Sequence, residues 1–256
     1  MLKNINSVDV FSNRVENYSK YRPSYPISIL EFCKEELKIK SSDIIADIGS
    51  GTGLFSELFL KNGNIVFCIE PNKKMRNVAE RTFEDYPNFE SINAKAEETS
   101  LPDKTIDVIT VAQAFHWFDI QKTRKEFLRI LKPNAYVILI WNERKINTEF
   151  SLAYEKFILE FAINYEKISY RNVINKSILS SFWGDNICSM VTFDNYQIFN
   201  FESLKGRVLS SSYIPTETHP QYNKMIESLK KIFLEFQIDK QVKFEYTTKV
   251  YFGKIT

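Results

Sequence analysis

Three glycines, Gly49, Gly51 and Gly53, stand within five residues of the stretch IIADIGSGTGLFSELFLKNG (44–63), which holds four of the chain's seven glycines. The residues before them, Ile44-Ile45-Ala46-Asp47-Ile48, read as a short buried strand, and Leu54, Phe55, Leu58 and Phe59 recur at helical spacing. A strand that turns through glycines into a helix presents backbone N–H groups to a ligand. A dinucleotide fingerprint would need glycine at position 54, where Leu54 stands, and no Gly-Lys-Ser/Thr ending of a phosphate loop follows. Glu70 lies 19 residues beyond Gly51 and closes the next apolar run. A carboxylate there can accept hydrogen bonds from both hydroxyls of a ribose, and its charge repels a ribose phosphate. The implied ligand is a nucleoside without phosphates.

Other reactive side chains cluster near the ends of later strands. His116, one of only two histidines, falls just past a fourth strand. It is placed either as a general base or as an orienting neighbour of Trp117. Arg144 lies just beyond a fifth strand, where a cation could hold an acidic substrate; an ordinary surface ion pair is the plainer alternative. Ser210, Ser211, Ser212 and Tyr213 either offer hydroxyls to a pocket or simply terminate helices. Trp117 next to a binding end could form a substrate wall, although Trp117, Phe118 and Trp141 also suit a core. His219, beside Pro220, reads as a turn residue.

These residues need a frame that brings strand ends together. Strands are predicted at 43–48, 64–70, 89–94, 105–115 and 135–142, separated by helices at 27–39, after the glycine turn, at 73–85 and at 120–131. The helix at 120–131 is expected to stop at Lys132-Pro133-Asn134. Unbroken apolar runs separated by helices indicate a parallel sheet covered on both faces. After Arg144 the pattern becomes mainly helical over 148–182 and 201–238, with a strand at 189–199. A final strand at 242–255 alternates as an antiparallel edge strand would. The expected fold is α/β, a Rossmann-like doubly wound, mostly parallel seven-stranded sheet. Its organisation reads as a cofactor-binding core with an N-terminal lid segment (1–145), a helical substrate cap (146–240) and a last strand completing the core (241–256).

Composition narrows the function classes. With 34 Lys and Arg against 32 Asp and Glu, and no long run of one sign, nothing suggests a nucleic-acid or membrane surface. Cys33, Cys68 and Cys188 are far apart, which is neither a disulfide framework nor a metal cluster and fits a reducing compartment. The N-terminal stretch has no signal-peptide run and no segment approaches a membrane span, so a cytoplasmic protein is expected.

On these residues the sequence resembles the class I S-adenosylmethionine-dependent methyltransferases. ADIGSGTG, IEPNKKM and NAKAEETSLPDKTIDVITVAQAFHWFD match their successive motifs. FSNRVENYSKYRPSYP, QAFHWFD, GRVLSSSYIP and TTKVYFGKI look like the small-molecule branch that includes trans-aconitate methyltransferase-like proteins. The resemblance implies S-adenosylmethionine as cofactor, leaving as S-adenosylhomocysteine, and no metal. It implies that Gly49, Ser50, Gly51 and Gly53 approach the methionine part, with Asp47 reaching its amino group. Glu70 would bind the ribose, Pro71 and Met75 would pack on the adenine, and Ala96 and Glu97 would address its edge. Gln113, Ala114 and Phe115 would line the methyl end. Tyr18 and Arg22 would close over the cofactor, Arg22 pairing with its carboxylate. The acceptor would be a small molecule near His116, Arg144 and Tyr213, methylated at a carboxylate or hydroxyl oxygen. A non-catalytic cofactor-binding protein and a protein or nucleic-acid methyltransferase are the alternatives, and monomer and homodimer both stay open. Base-modifying enzymes usually carry an Asn/Asp-Pro-Pro-aromatic motif after strand four; here Gln113-Ala114-Phe115-His116 stands instead.

Overall fold

The structure is a computed structural model that describes residues 14–163 and 176–256. The expectations for residues 1–13, and for the helical reading of 164–175, lie outside the described residues. Seven strands form one sheet: β1 (Ile45–Ile48), β2 (Val66–Ile69), β3 (Phe89–Ile92), β4 (Ile106–Ala112), β5 (Leu131–Arg144), β6 (Cys188–Phe199) and β7 (Val242–Gly253). Their order is β3-β2-β1-β4-β5-β7-β6. The first five run parallel, and β7 is antiparallel to both β5 and β6. This is the Rossmann-like, mostly parallel sheet expected from the apolar runs.

The chain order reverses at β1, between β2 on one side and β4 on the other, and crevices open at such points on the carboxyl ends of strands. The register sets Ile48 beside Ile69, so the glycine turn after β1 and Glu70 after β2 leave the sheet side by side.

One face of the sheet is covered by α2 (Ser28–Glu35), α3 (Ser56–Lys61) and α4 (Lys73–Thr82), whose Ile29, Phe59 and Ala79 join Ile45, Val66 and Ile138. The other face is covered by α5 (Ile120–Ile130) and α7 (Lys176–Trp183), where Phe127, Phe182 and Trp183 meet Ile109, Leu139 and Trp141. A third core joins α6 (Glu149–Phe161), α8 (Phe201–Leu209) and α9 (Tyr222–Phe236) to one end of β7. Strand β7 serves two cores along one face: Val242, Phe244 and Tyr246 enter the helical cluster, and Val250 enters the sheet cluster. Phe244 stacks on Phe150 with ring centroids 5.1 Å apart, pinning α6 to the strand.

Three local expectations are corrected. The last strand is not an edge: β7 lies between β5 and β6, and β6 is the edge, exposing Met190, Tyr196 and Ile198. Alternation in sequence reports one buried face and carries no information on whether the backbone is paired on both sides. Strand β5 begins at Leu131, straight after α5, rather than after a Lys-Pro-Asn stop; Asn134 accommodates the irregularity at φ +64°. Strand β4 ends at Ala112, and Phe115–Trp117 form a short 3-10 turn.

The helix α1 (Val15–Tyr21) lies against α8, and a Cβ on Gly206 would sit 2.1 Å from the Tyr21 ring. Glycine at 206 therefore lets the N-terminal helix approach the helical cluster. In the turn after β1, the glycines differ. Gly53 (φ +82°) would carry a Cβ 2.3 Å from Phe83, whereas Gly51 (φ +60°) has open space where a Cβ would stand. Gly53→Ala is expected to cost about 2–4 kcal/mol by urea unfolding, from overpacking and left-handed strain together. Gly51→Ala should cost only about 1 kcal/mol, from strain alone. Equal losses at the two positions would contradict this division.

Candidate active site

A cleft of about 590 Å³, part of it open to solvent, lies at the carboxyl ends of β1, β2 and β4. It brings together Tyr18, Gly49, Gly51, Glu70, Pro71, Met75, Gln113 and Ala114 from the sequence expectation. Trp117, weighed as a wall, also lines it. Asn72, Ala112 and Phe118 complete the lining, though the sequence did not single out Asn72 or Ala112 and placed Phe118 more readily in the core. The volume is in the range that holds a small ligand.

Glu70 organises the rim. Its Oε2 accepts the Gly51 N–H at 3.0 Å and its Oε1 accepts the Asn72 N–H at 2.8 Å. Asn72 in turn caps α4, its Oδ1 accepting from the N–H groups of Lys74 and Met75. One carboxylate thus joins the glycine turn to the start of α4. Each oxygen keeps lone-pair capacity for a further donor. Burial raises the Glu70 carboxyl above its ordinary range, and the two backbone N–H groups oppose that.

The glycine turn acts differently from the sequence expectation. The N–H groups of Gly49 and Ser50 bond to Ile69 O, that of Gly51 to Glu70, and that of Gly53 to Ser50 O. These donors are consumed within the fold, so the turn contributes open space and backbone shape at Gly51 rather than a row of free donors. Gly49 lies so close to Ala114 that a Cβ would meet its Cβ at 2.6 Å. Gln113, opposite, holds φ +59° and bonds through Nε2 to Asn142 O at 3.3 Å. A non-glycine residue in this conformation stores strain and commonly marks a functional rim.

Several expected residues stand outside the lining. Asp47 is 1% exposed; its Oδ2 accepts from Ser56 Oγ at 2.5 Å and its Oδ1 from Thr110 Oγ1 at 2.9 Å. It braces the floor under the turn, because a strand's inward side chain cannot also reach the mouth. Burial pushes its carboxyl up to about 6. Ser50 and Gly53 belong to the turn without lining the cleft; Gly53 packs on Phe83. Ala96 and Phe115 are core residues, and Glu97 accepts the Asp119 N–H at 2.8 Å. The His116 ring lies tilted beside Trp117, with centroids 5.0 Å apart, its Nδ1 sealed from solvent and without a partner. Burial lowers its imidazole to about 4, so it is neutral near pH 7.

Arg22 and the acceptor residues stand in the helical cluster. The Arg22 guanidinium lies 4.8 Å over the Tyr18 ring, whose other contacts include the cleft. Arg144, the last residue of β5, pairs with Glu155 and lies 4.4 Å over Tyr154. Tyr213 and Arg144 both act electrostatically on Tyr154, whereas His116 is not part of that group. The missed member is Arg207 on α8, which acts on Tyr154, Tyr213 and Tyr246 together. Its only signal in sequence was its place in GRVLSSSYIP. Among the described residues, no group of His, Cys, Asp and Glu is arranged to hold a metal ion, and no helix is long and apolar enough to cross a membrane.

Residues 46–139 match the family model described as a methyltransferase domain. An uncharacterized methyltransferase-like protein of Schizosaccharomyces pombe is 33% identical over 135 residues, 52% of each chain. A malonyl-[acyl-carrier protein] O-methyltransferase of a Marinomonas species is 27% identical over 133 residues, 50% of this chain and 48% of that one. A candidate type II methyltransferase of Anaeromyxobacter dehalogenans shares the fold at a TM-score of 0.64 with 17% identity, covering 91% of this chain and 98% of that one. The matched segment is thus similar to a methyltransferase domain, and the fold around it is the Rossmann-like one. The chain spans about half the length of the curated relatives it matches.

Asp47 and His116 titrate in opposite senses. Asp47 keeps its proton longer in the folded state, so its contribution falls as pH rises from about 4 to 6. His116 resists protonation in the folded state, so its contribution rises with pH from about 4 to 6.5. Each amounts to something on the order of 3 kcal/mol, and they nearly cancel. Asp47→Asn should therefore make thermal stability rise steeply between pH 4 and 6, and His116→Gln should make it fall. Parallel pH profiles for the two variants would contradict both assignments.

Proposed function

We propose that the protein is an S-adenosylmethionine-dependent methyltransferase acting on a small molecule, at an oxygen of a carboxylate or hydroxyl group. The observation that carries this reading is the Glu70 carboxylate at the cleft rim, facing the open space at Gly51. A diol is the natural guest for two spare acceptor positions, and a phosphate would be repelled. The cofactor supplies a methyl group on a positively charged sulfur.

In this reading Glu70 holds the ribose, and Pro71 and Met75 provide an apolar wall for the adenine. Gly49 and Gly51 leave room for the methionine part, which Asp47, Ser50 and Gly53 serve by holding the turn. Gln113, Ala114 and Trp117 wall the methyl end, Tyr18 and Arg22 close over it, and Ala96, Glu97 and Phe115 support from behind. Residues 1–145 with 241–256 form the cofactor-binding core, and 146–240 cap the acceptor near Arg144 and Tyr213. The near balance of charge favours a small acceptor over a polynucleotide. The motifs shared with trans-aconitate methyltransferase-like proteins, and the Marinomonas relative named as an O-methyltransferase, favour an acid oxygen. Cysteines without a disulfide, Cys33 and Cys68 buried and Cys188 exposed, favour the cytoplasm.

An ionised oxygen of the acceptor takes the methyl carbon, the electron pair of the broken C–S bond stays on sulfur, and no proton has to leave. Rate then comes from positioning and from exclusion of water. His116 fits this better than base catalysis, since an imidazole lowered to about 4 is a weak proton acceptor. Its place beside Trp117 suits an orienting role.

Glu70→Ala should weaken S-adenosylhomocysteine binding roughly 100-fold by titration calorimetry, as two charge-assisted hydrogen bonds are lost. Unchanged affinity would sink the ribose assignment. For a carboxylate acceptor, His116→Ala should leave turnover of labelled donor within about threefold of wild type, less than the 10²–10⁴ expected of a general base. A fall of several orders of magnitude with cofactor affinity intact would restore His116 as the base.

A further inference from the structure

Three arginines converge on one short segment of the helical cluster. Arg14 donates through Nη1 to the carbonyl oxygens of Leu209 and Ser211, and through Nη2 to that of Ile214. Arg22 Nη2 donates to Ser210 O at 3.0 Å. Arg207 Nη1 approaches Ser210 Oγ at 3.4 Å and Ser211 Oγ at 3.2 Å. Ser210 and Ser211 are fully buried. Among the described residues, none of these three guanidiniums has a carboxylate partner, whereas Arg144 nearby has Glu155.

Clustered cations without a counter-charge are costly to bury. Burial and the neighbouring Arg207 charge both lower the Arg22 guanidinium from its ordinary value. Burial acts the same way on Arg207, but Tyr246, Tyr154 and Tyr213 reverse it, so its net shift is upward. Arg14 and Arg22 spend donors on backbone carbonyls. Arg207 has only hydroxyl partners, which a carboxylate can displace or share, and its Nε is sealed and unpartnered. The Nε of Arg22 is in the same condition. The cluster adjoins the cleft through Tyr18, which lines the cleft while its ring lies beneath Arg22.

We infer that Arg207, with the hydroxyls of Ser211, Tyr154 and Tyr246 around it, is the subsite that holds a carboxylate of the methyl acceptor. The inference deepens the proposed function and rests on it. The shared chemistry is a carboxylate in a guanidinium and phenol cage, and the cofactor's own methionine carboxylate is the other source. That group falls to Arg22, whose guanidinium lies over Tyr18, a residue of the cleft lining, leaving Arg207 for the acceptor. An acid acceptor supplies the countercharge that the described residues lack, and its neutral amide analogue would leave the guanidinium uncompensated.

The experiment uses phenylacetate, acetate and succinate as probes, with phenylacetamide as the neutral counterpart, on the full chain saturated with S-adenosylhomocysteine. Wild type should bind at least one acid in preference to the amide by about tenfold or more, and Arg207→Gln should abolish that preference. Arg207→Lys, which keeps the charge and loses the fork, should keep part of it and guards against a folding defect in the first variant. S-adenosylhomocysteine affinity should stay within about twofold in both variants. No acid preference in wild type, or an undiminished one in a folded Arg207→Gln protein, overturns the inference. Weaker S-adenosylhomocysteine binding in the variants, with 5′-methylthioadenosine binding unaltered, also overturns it by giving Arg207 to the cofactor carboxylate. If wild type binds no S-adenosylhomocysteine, the proposed function fails separately, and the acid-against-amide comparison on the cofactor-free protein still decides the subsite.

Discussion

The bond between the Glu70 carboxylate and the Gly51 N–H, at 3.0 Å, holds the site together. It joins the end of β2 to the turn after β1, and through the Asn72 N–H it also anchors the start of α4. A part-buried carboxylate so placed has satisfied its strongest needs with backbone, yet retains acceptor capacity toward the cleft. The parallel register of β1 and β2 makes the bond possible, since Ile48 and Ile69 are direct neighbours. Opposite it, the strained Gln113 and the close approach of Gly49 to Ala114 bring β4 to the same rim.

Polar groups below and above the cleft obey different rules. Beneath it, Asp47 is surrounded by hydroxyls and no cation, so its charge is disfavoured and its role is to tie β1 to β4 and α3. Above it, the arginine cluster has hydroxyls and carbonyls but no acid among the described residues. Hydroxyls can satisfy hydrogen bonds on both sides, but they cannot cancel a charge. The lower carboxyl is therefore pushed up to about 6, and the upper cations are left without a countercharge among the described residues.

The glycine turn, Glu70 and the five parallel strands were legible because each is a local pattern. Glycines in series mark a turn, apolar runs mark buried strands, and a fixed distance along the chain places Glu70 at a strand end. Less legible were groups whose meaning depends on what lies across space. Gly49, Gly51 and Gly53 look alike in sequence, yet one meets Ala114, one faces open space and one meets Phe83. Asp47 near the end of β1 and Glu70 just past the end of β2 look alike in sequence, yet one is sealed beneath the turn and the other stands at its rim.

The amino-acid sequence by itself determined the mostly parallel sheet, the site of the glycine turn and the carboxylate that faces it, since strand periodicity and chain spacing are short-range properties. Tertiary structure alone decided that β7 lies inside the sheet with β6 at its edge, because strand neighbours are chosen by backbone pairing between distant segments. It also decided that Arg14, Arg22 and Arg207 meet at Ser210 to Ile214. Gly206 lets α1 pack against α8, and that contact joins charges nearly 200 residues apart, a proximity that no local pattern encodes.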